Sequence, residues 1–380
     1  MSGPRGTRRP PPSPLDAFEL SAGVLACLPD MTPARLRAAF VRWGGPVGAL
    51  AAVRRGGGAA LLTARARAED LPARLALAEH WRVAAADDRI PSTLAHRATR
   101  IYVEGRERYP IGDDVPHRPV VLLAEGNDPG VFDRPRVAVV GTRAATPHGL
   151  ADAREIGAVL GSADITVVSG LAIGIDAAAH EGALDVGGPV VGVVATGLDI
   201  VYPRRHQVLF DRVRRGGLLV SELGYGVQPR REQFPIRNRI IAGLADVVVV
   251  VEATVRGGAR ITAERAVEYN RDVLAMPGSR RNPSAAGTNA LIADGAHPLL
   301  EPSDVLVALG LSGASRRATR KAPSTGDPGA VFRACGGEAA TLDQLASRTL
   351  LRPSEVAVAA RQLEREGWLE RAQGMWWPRE

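Results

Sequence analysis

Basic, aromatic and amide side chains cluster in the segment Pro229-Arg-Arg-Glu-Gln-Phe-Pro-Ile-Arg-Asn-Arg-Ile-Ile-Ala-Gly243. The side chains in this segment that could bind a ligand are those of Arg230, Arg231, Phe234, Arg237, Asn238 and Arg239. Guanidinium groups beside an exposed ring suit a single strand of nucleic acid, because phosphates pair with arginine and a base stacks on the ring. A solvated helix N-terminus with ordinary surface arginines explains the segment equally well. The segment alone leaves both interpretations open.

Helical and strand patterns around this cluster predict how it is positioned. The segment predicts a loop, then a helix with Pro235 in its first turn, and a buried strand at residues 247–251. Six further apolar runs occur at residues 120–123, 137–140, 165–168, 190–194, 218–220 and 273–276. Apolar strands separated by helices predict a doubly wound, Rossmann-like α/β fold with a parallel sheet covered on both faces. Such sheets bind ligands at the carboxyl ends of their strands.

The turn after residue 140 is the first of these strand ends. Thr146 is a good N-cap and Pro147 a good first helical residue. Free amides at that helix start, with Arg143 beside them, predict an anion site; a plain strand-to-helix turn is the alternative. The glycine spacing is not that of a dinucleotide fingerprint, and no acidic residue ends the next strand. We therefore expect no dinucleotide cofactor.

Later strand ends carry further candidates. Ser169 and Gly170 follow the next strand, and Asp176 and His180 are four residues apart on one helix face. That pair could serve acid–base chemistry or a metal, but no third ligand is near in sequence. We predict no metal and a structural Asp–His hydrogen bond that fixes the loop. Glu252 ends another strand and could meet an arginine or a ligand hydroxyl; we expect it to pair with an arginine.

Gly257 and Gly258 open a further helix and place backbone amides at the same edge of the sheet. Together with Arg143, Ser169, Gly170 and the 230–239 cluster, they predict a rim of hydrogen-bond donors. The rim contains no evident pair of nucleophile and base. The pattern is typical of a phosphate-binding surface without catalytic residues.

Bulk composition adds little to this hypothesis. The net charge is +7, but residues 1–15 carry +3 and residues 311–325 carry +4, so the remainder is neutral. Lys321 is the only lysine, which points to codon bias as the source of the arginines. Cys27 and Cys335 lack disulfide-scaffold or metal-ligand spacing and fit a reducing cytoplasm. No apolar run has membrane-spanning length, and the N-terminus lacks a signal-peptide core, so we expect a cytoplasmic protein.

The chain is predicted to contain several parts in addition to the core at residues 91–310. Residues 1–15 are expected to be disordered and residues 311–328 to form a basic linker. Residues 16–90 predict a helical module of SAM or helix-hairpin-helix type, which could hold DNA or serve only for packing. Residues 329–380 predict a winged helix, with helices at 330–335, 341–347 and 353–366 and a wing that turns at Gly374. Its third helix has a mixed charge, so DNA contact and protein docking both remain open.

The combination of motifs resembles the DNA-processing protein A family of bacteria, also called DprA or Smf. The resemblance covers nearly the whole chain. It rests on the motifs Tyr109-Pro110, Val140-Gly-Thr-Arg143, Ser169-Gly170, Gly174-Ile-Asp176, His180, Tyr202-Pro203, Phe234-Pro235, Arg237-Asn-Arg239, Thr262-Ala263, Pro277-Gly278, Gly287-Thr-Asn289 and Gly295-Ala296.

The resemblance implies a non-enzymatic protein that binds single-stranded DNA, forms a homodimer and loads RecA during natural transformation. A single-stranded-DNA-binding protein is a further implied partner, and no cofactor is implied. It also implies the pocket residues Arg143, Ser169, Gly170, Arg231, Phe234, Arg237 and Asn238. Arg143 fits as a phosphate clamp and Phe234 as a stacking platform.

Two features depart from this resemblance or suggest an alternative. Gly257-Gly258 replaces the family's usual Ser-Gly, and Arg260 stands where an apolar residue is common. The core also looks similar to that of nucleotide phosphoribohydrolases, in which a helix after a glycine-rich turn carries a catalytic Glu. Glu264 after Gly257-Gly258 echoes that arrangement, although Arg256 replaces the expected proline.

Overall fold

The structure is a computed structural model that describes residues 15–64, 66–311, 326–335, 340–365, 368–372 and 375–378. The chain divides into two compact units, Met1–Ser312 and Gly313–Glu380. The predicted tail at residues 1–15, apart from Leu15, lies outside the described residues. So do most of the predicted linker at residues 311–328 and the predicted turn at Gly374.

The first unit begins with six helices. They are α1 (Ala17–Ala26), α2 (Pro33–Trp43), α3 (Pro46–Arg54), α4 (Gly58–Thr63), α5 (Leu71–Ala86) and α6 (Arg89–His96). Helix α2 is capped by the hydroxyl of Thr32, and Gly44 and Gly45 join it to α3 with φ values of 69° and 109°. Only glycine adopts such angles at little cost. A tight glycine turn therefore joins two helices here, and the assignment of residues 16–90 to a SAM or helix-hairpin-helix type stays a prediction.

A nine-stranded sheet follows, in the order β1-β2-β6-β5-β4-β3-β7-β8-β9. The strands are β1 (Arg100–Val103), β2 (Val121–Gly126), β3 (Arg136–Val140), β4 (Thr166–Ser169), β5 (Val190–Val193), β6 (Gly217–Ser221), β7 (Val247–Val250), β8 (Asp272–Ala275) and β9 (His297–Pro298). All seven predicted strands are present, and β3 to β9 pair in parallel. The prediction of a parallel strand at residues 120–123 is wrong, because β2 pairs antiparallel with both β1 and β6. A fully apolar run marks a buried strand but does not encode its direction.

Helices cover both faces of this sheet. They are α7 (Pro147–Ser162), α8 (Ile175–Asp185), α9 (Gln207–Gly216), α10 (Gln233–Leu244), α11 (Gly258–Glu268), α12 (Ala286–Ala293) and α13 (Asp304–Ala308). Side chains of β3 alternate between two hydrophobic cores: Val137 and Val139 pack with α7, α8 and the N-terminal helices. Ala138 and Val140 pack with α10 and α11. This two-faced burial confirms the doubly wound α/β class.

The second unit contains α14 (Gly326–Cys335), α15 (Leu342–Thr349), α16 (Pro353–Arg365), β10 (Leu369–Ala372) and β11 (Met375–Pro378). Thr341 and Gln344 form the predicted capping box of α15. Strands β10 and β11 pair antiparallel, and Leu345, Leu363 and Trp376 are buried in a small core of their own. The three helices and the strand pair have the predicted order; their assignment as a winged helix stays a prediction.

Two further observations concern the chain as a whole. Both cysteines, Cys27 and Cys335, are free thiols. In the part of the chain that the structure describes, no helix is both long enough and apolar enough to span a lipid bilayer.

Candidate nucleic-acid interface

A groove of about 660 Å³ lies above the carboxyl ends of β3 and β7. Residues 140–143 and 253–254 line its floor, and the first turns of α10 and α11 line its wall. Strand β3 pairs with β4 on one side and with β7 on the other, so the strand order reverses here. Doubly wound sheets bind ligands at such a reversal. We refer to this site as the main groove.

An aromatic and guanidinium cluster projects into the main groove. The Cζ atom of Arg143 lies 5.0 Å from the ring centroid of Phe234. The ring of Tyr202 lies 5.5 Å from that of Phe234, with 49° between the planes. Arg143 is exposed, Phe234 half-buried and Tyr202 43% exposed. The chain therefore brings the predicted clamp and the predicted stacking ring into one site.

The main groove carries positive charge at its rim. Arg143 and Arg231 both line it and are exposed, and neither forms an ion pair with any residue that the structure describes. Among the described residues that line the groove, Asp176 is the one acidic side chain, and it is only 6% exposed. Burial raises the pKa of Asp176, opposed by the charge of Arg237 and by backbone hydrogen bonds. The groove therefore favours an anionic ligand.

Arg237 lines the groove but is not the free donor that the sequence predicted. It is 5% exposed, and its guanidinium donates to the carbonyl oxygens of Gly170, at 2.8 Å, and of Val193. Burial lowers the pKa of Arg237 to about 10, opposed by the nearby carboxylate of Asp176. It therefore stays charged at neutral pH. Arg237 thus joins α10 to the ends of β4 and β5 while it lines the groove as expected, and its contact with DNA stays a prediction.

Ser169 and Gly170 lie beneath the groove and do not line it. Ser169 is fully buried, and its hydroxyl donates to the carbonyl oxygen of Val139 at 2.6 Å. The amide of Gly170 donates to Asp176 Oδ2 at 3.1 Å, and a Cβ atom at this position would collide with the guanidinium of Arg237. The predicted role of both residues as DNA donors is corrected to packing.

Two more predicted arginines lie outside the main groove. Arg239 donates to the carboxylate of Glu222 and, at 2.8 Å, to the carbonyl oxygen of His117. Its pairing with a buried carboxylate removes it from the DNA-binding set. Arg230 is exposed but lines a different cavity on the other side of α10.

The anion site predicted at the start of α7 is filled by the protein itself. Thr146 caps this helix as predicted, accepting from the amide of Gly149 at 3.0 Å. The carboxylate of Glu252 accepts from the amide of Thr146 at 2.9 Å and from its hydroxyl at 2.6 Å. The expectation that Glu252 pairs with an arginine is therefore wrong, as is that of a free anion site here. A carboxylate at a helix N-terminus is stabilised by the same amides and dipole that would hold a phosphate.

Comparison with known proteins identifies the family of this chain. Residues 100–310, more than half of the chain, match the family described as DNA recombination-mediator protein A. The chain belongs to this family. A protein Smf of Synechocystis is 46% identical over 176 residues, which cover 46% of this chain and 44% of that relative. The match thus spans less than half of the relative's length.

Solved structures of DNA processing protein A support the same assignment. The protein from Streptococcus pneumoniae has a TM-score of 0.61 and 32% identity, covering 77% of this chain and 98% of its own. That from Helicobacter pylori, described for its single-stranded DNA binding mode, has a TM-score of 0.51 and 26% identity. It covers 57% of this chain and 98% of its own.

At the position of the family's usual Ser-Gly, Gly257 and Gly258 line the main groove. No side chain caps α11 at Gly257, so its first amides face the groove edge. The side-chain amide of Asn238 donates to the Gly258 carbonyl at 3.1 Å and ties α10 to α11. Arg260 does not line the groove; it lies within ion-pair distance of Glu264 and Asp294.

The phosphoribohydrolase-like alternative requires an acid in the groove after Gly257-Gly258. Glu264, the residue that echoes this pattern, does not line the groove, and its side chain is 61% exposed beside Arg260. Clusters of three or more potential metal ligands are absent from the described ranges. The geometry gives the enzyme-type hypothesis no support.

Tyr202 lines the groove, a position that sequence reasoning did not assign to it. Its signal was present, since an aromatic residue follows the end of a buried strand at the ligand-binding edge. Tyr202 precedes Pro203 in a cis peptide, and both belong to the family's motifs. An aromatic residue at a strand end is as compatible with packing as with stacking, so only the structure distinguishes them.

Asp176 and His180 do not form the predicted hydrogen bond with each other. The Asp176 carboxylate instead holds the loop through the Gly170 amide. His180 is fully buried, and neither ring nitrogen makes a hydrogen bond of standard geometry with a described residue. Burial lowers the pKa of His180 to about 4, opposed by a contact with the Ser169 backbone. The ring is therefore neutral at pH 7.

A pH dependence of stability follows from this buried ring. The folded-state pKa of His180 lies below its unfolded value of 6.5, so its contribution is complete above pH 6.5 and is lost as the pH falls towards 4. The loss approaches about 3 kcal/mol of unfolding free energy. We expect His180→Leu to remove this component and to cost little at neutral pH, because no standard hydrogen bond is lost.

Urea unfolding of wild type and His180→Leu across this pH window measures the effect. The raised pKa of Asp176 acts in the opposite direction in both proteins, so the difference between them isolates His180. Parallel stability curves for the two proteins would show that His180 is not the titrating group.

Proposed function

We propose that the chain binds single-stranded DNA in the main groove and acts as a recombination mediator. One observation supports this most: the guanidinium of Arg143 lies over the ring of Phe234 in a groove with unpaired positive charge. The guanidinium that would contact a phosphate and the ring that would stack on a base then lie side by side, as a phosphate and a base do within one nucleotide. The Helicobacter pylori relative, described for its single-stranded DNA binding mode, supports the same ligand class.

When DNA binds, Arg143 and Phe234 must replace their contact with each other by contacts with a phosphate and a base. In the free protein the guanidinium covers one face of the ring. An exposed cation–π contact stabilises by about 0.5–1 kcal/mol, whereas stacking a base on an aromatic ring stabilises by about 1–3 kcal/mol. The guanidinium also gains a phosphate partner when it moves. The exchange is therefore favourable, and the free state keeps both groups ordered near their ligand positions.

The described groove favours binding that is largely independent of base sequence. Its exposed charges suit phosphates, and its rings stack with any base. The side-chain amide of Asn238, the group best suited to hydrogen-bond a base edge, is engaged by the carbonyl of Gly258. Salt should weaken binding, because each phosphate contact releases counterions.

Family membership supports a wider role. We propose that the chain covers incoming single strands, pairs with a second copy of itself and delivers the DNA to RecA during natural transformation. A single-stranded-DNA-binding protein is the competitor that such a mediator displaces. The winged-helix and helical parts then serve as additional contact modules.

Replacing Arg143 by Ala tests the phosphate contact. We expect weaker binding of oligo-dT and a shallower dependence of log affinity on log salt, by about 0.7 for one phosphate contact to a single strand. Arg215→Ala is the matched control, since Arg215 is exposed, lies on α9 of the same core and does not line the main groove. Fluorescence anisotropy at several salt concentrations measures both quantities. A wild-type salt slope for Arg143→Ala would exclude the proposed clamp.

Replacing Phe234 tests the stacking contact. Phe234→Ala should weaken oligo-dT binding by about 1–3 kcal/mol, while the salt slope stays unchanged because no charge is removed. Phe234→Leu restores apolar volume without a ring, and we expect it to bind as weakly as the Ala variant. If Leu restores full affinity, the side chain contributes packing and not stacking.

Recombinase loading is tested with RecA and single-stranded DNA precoated with a single-stranded-DNA-binding protein. We expect the wild-type chain to shorten the lag before RecA filaments form, and Arg143→Ala to shorten it less. DNA-dependent ATP hydrolysis by RecA reports filament formation. An unchanged lag with a wild-type chain that binds DNA would reject the mediator role while leaving the DNA-binding site intact.

A further inference from the structure

A second cavity, of about 810 Å³, lies on the other side of α10 from the main groove. Residues 27–33 between α1 and α2 form one wall, and residues that follow β5 and β6 form another. Its volume is in the range of sites that hold small ligands or single nucleotides. We refer to it as the module cavity.

The first turn of α10 separates the two sites. Phe234 and Arg231 face the main groove, whereas Arg230 and Ile236 face the module cavity. Residues 234 and 236 lie on opposite sides because consecutive helical residues are rotated by about 100°. Arg237 lines both sites, so its buried guanidinium is a shared wall. The two sites are therefore adjacent across one helix.

Two arginines that directly precede α10 are suited to contact a phosphate backbone. Arg230 and Arg231 are consecutive and exposed, and neither forms an ion pair with another residue in the described parts of the chain. One faces each site. A strand that leaves the main groove would meet these two cations as it crosses the turn.

The interior of the module cavity suits a base more than a phosphate. Its lining includes the apolar side chains of Leu28 and Ile236, the latter 50% exposed, and the ring of Tyr225. Its acids are Asp30, Glu222 and Glu232, and of these Glu222 is neutralised by Arg239. Arg35 also lines the cavity, donates to the carbonyl oxygen of Asp30 and offsets one of the other two carboxylates. The remaining carboxylate repels phosphate, so the backbone would remain outside on Arg230 and Arg231 while a base enters.

We propose that the module cavity is a second nucleotide subsite for the same single strand that occupies the main groove. This inference rests on the proposed function. A helix is about 10 Å across, and stacked nucleotides are spaced by about 3.4 Å. At least about three nucleotides therefore separate the base in the main groove from the base in the module cavity.

Photocrosslinking tests the path directly. A single 5-iodouracil is moved along a dT oligomer of about 12 nucleotides, a length within known single-strand site sizes, and crosslinked peptides are identified by mass spectrometry. We expect some positions to react near Tyr202 and Phe234 and others, at least about three nucleotides away, to react near Met31 or Tyr225. Crosslinks confined to the main groove would overturn the second subsite.

Affinity measurements provide an independent test. Ile236→Asp places a charge in the module cavity and should weaken the 12-nucleotide complex about tenfold, while an oligomer of about 4 nucleotides is affected less. Val208→Asp is the control, because Val208 is 70% exposed and lines neither site. Glu232→Gln, an exposed change, should strengthen binding of the longer oligomer about threefold by removing a repulsive charge.

These outcomes separate the two proposals. If wild type binds no oligo-dT, the proposed function fails. If wild type binds and Phe234→Ala weakens binding, but Ile236→Asp and Glu232→Gln match wild type at both lengths, only the second subsite fails.

Discussion

The buried guanidinium of Arg237 is the interaction on which the site depends. A charge removed from water costs several kcal/mol unless it is fully hydrogen-bonded. Arg237 meets this requirement through the carbonyl oxygens of Gly170 and Val193, with the Asp176 carboxylate nearby. Because those carbonyls follow or end β4 and β5, the bond attaches the start of α10 to the edge of the sheet. Phe234, one turn earlier on the same helix, is thereby held over the groove.

In this arrangement the arginines fall into two groups, those bonded within the fold and those exposed at the groove. Arg237 and Arg239 lie within the fold and are engaged by carbonyl oxygens or a carboxylate. Arg143 and Arg231 remain exposed on a rigid support. A site with fixed walls and exposed arginine side chains loses little backbone entropy on binding, and those long side chains can still adjust to an irregular ligand.

The sequence predicted the sheet, the start of α10, the α7 cap and the meeting of Arg143 with Phe234, because each depends on local pattern or on where parallel strands end. Prediction from the sequence failed for residues whose role depends on how deeply they are buried. Arg231 and Arg237 are alike in type and neighbourhood, yet one faces solvent and the other does not. Ser169 was expected to donate to a ligand, but the strand beside it offers the Val139 carbonyl. The direction of β2 was likewise not encoded in its apolar run.

The carboxylate of Glu252 at the start of α7 has a consequence for competition inside a cell. Mononucleotides are abundant there. The affinity of a mononucleotide depends on one or two strong phosphate-binding sites. The anion-binding position at the start of α7 is already occupied by the protein's own Glu252 carboxylate. A polymer, by contrast, accumulates many modest contacts along its length. On the proposed function, mononucleotides are therefore poor competitors for this surface, and long single strands retain access to it.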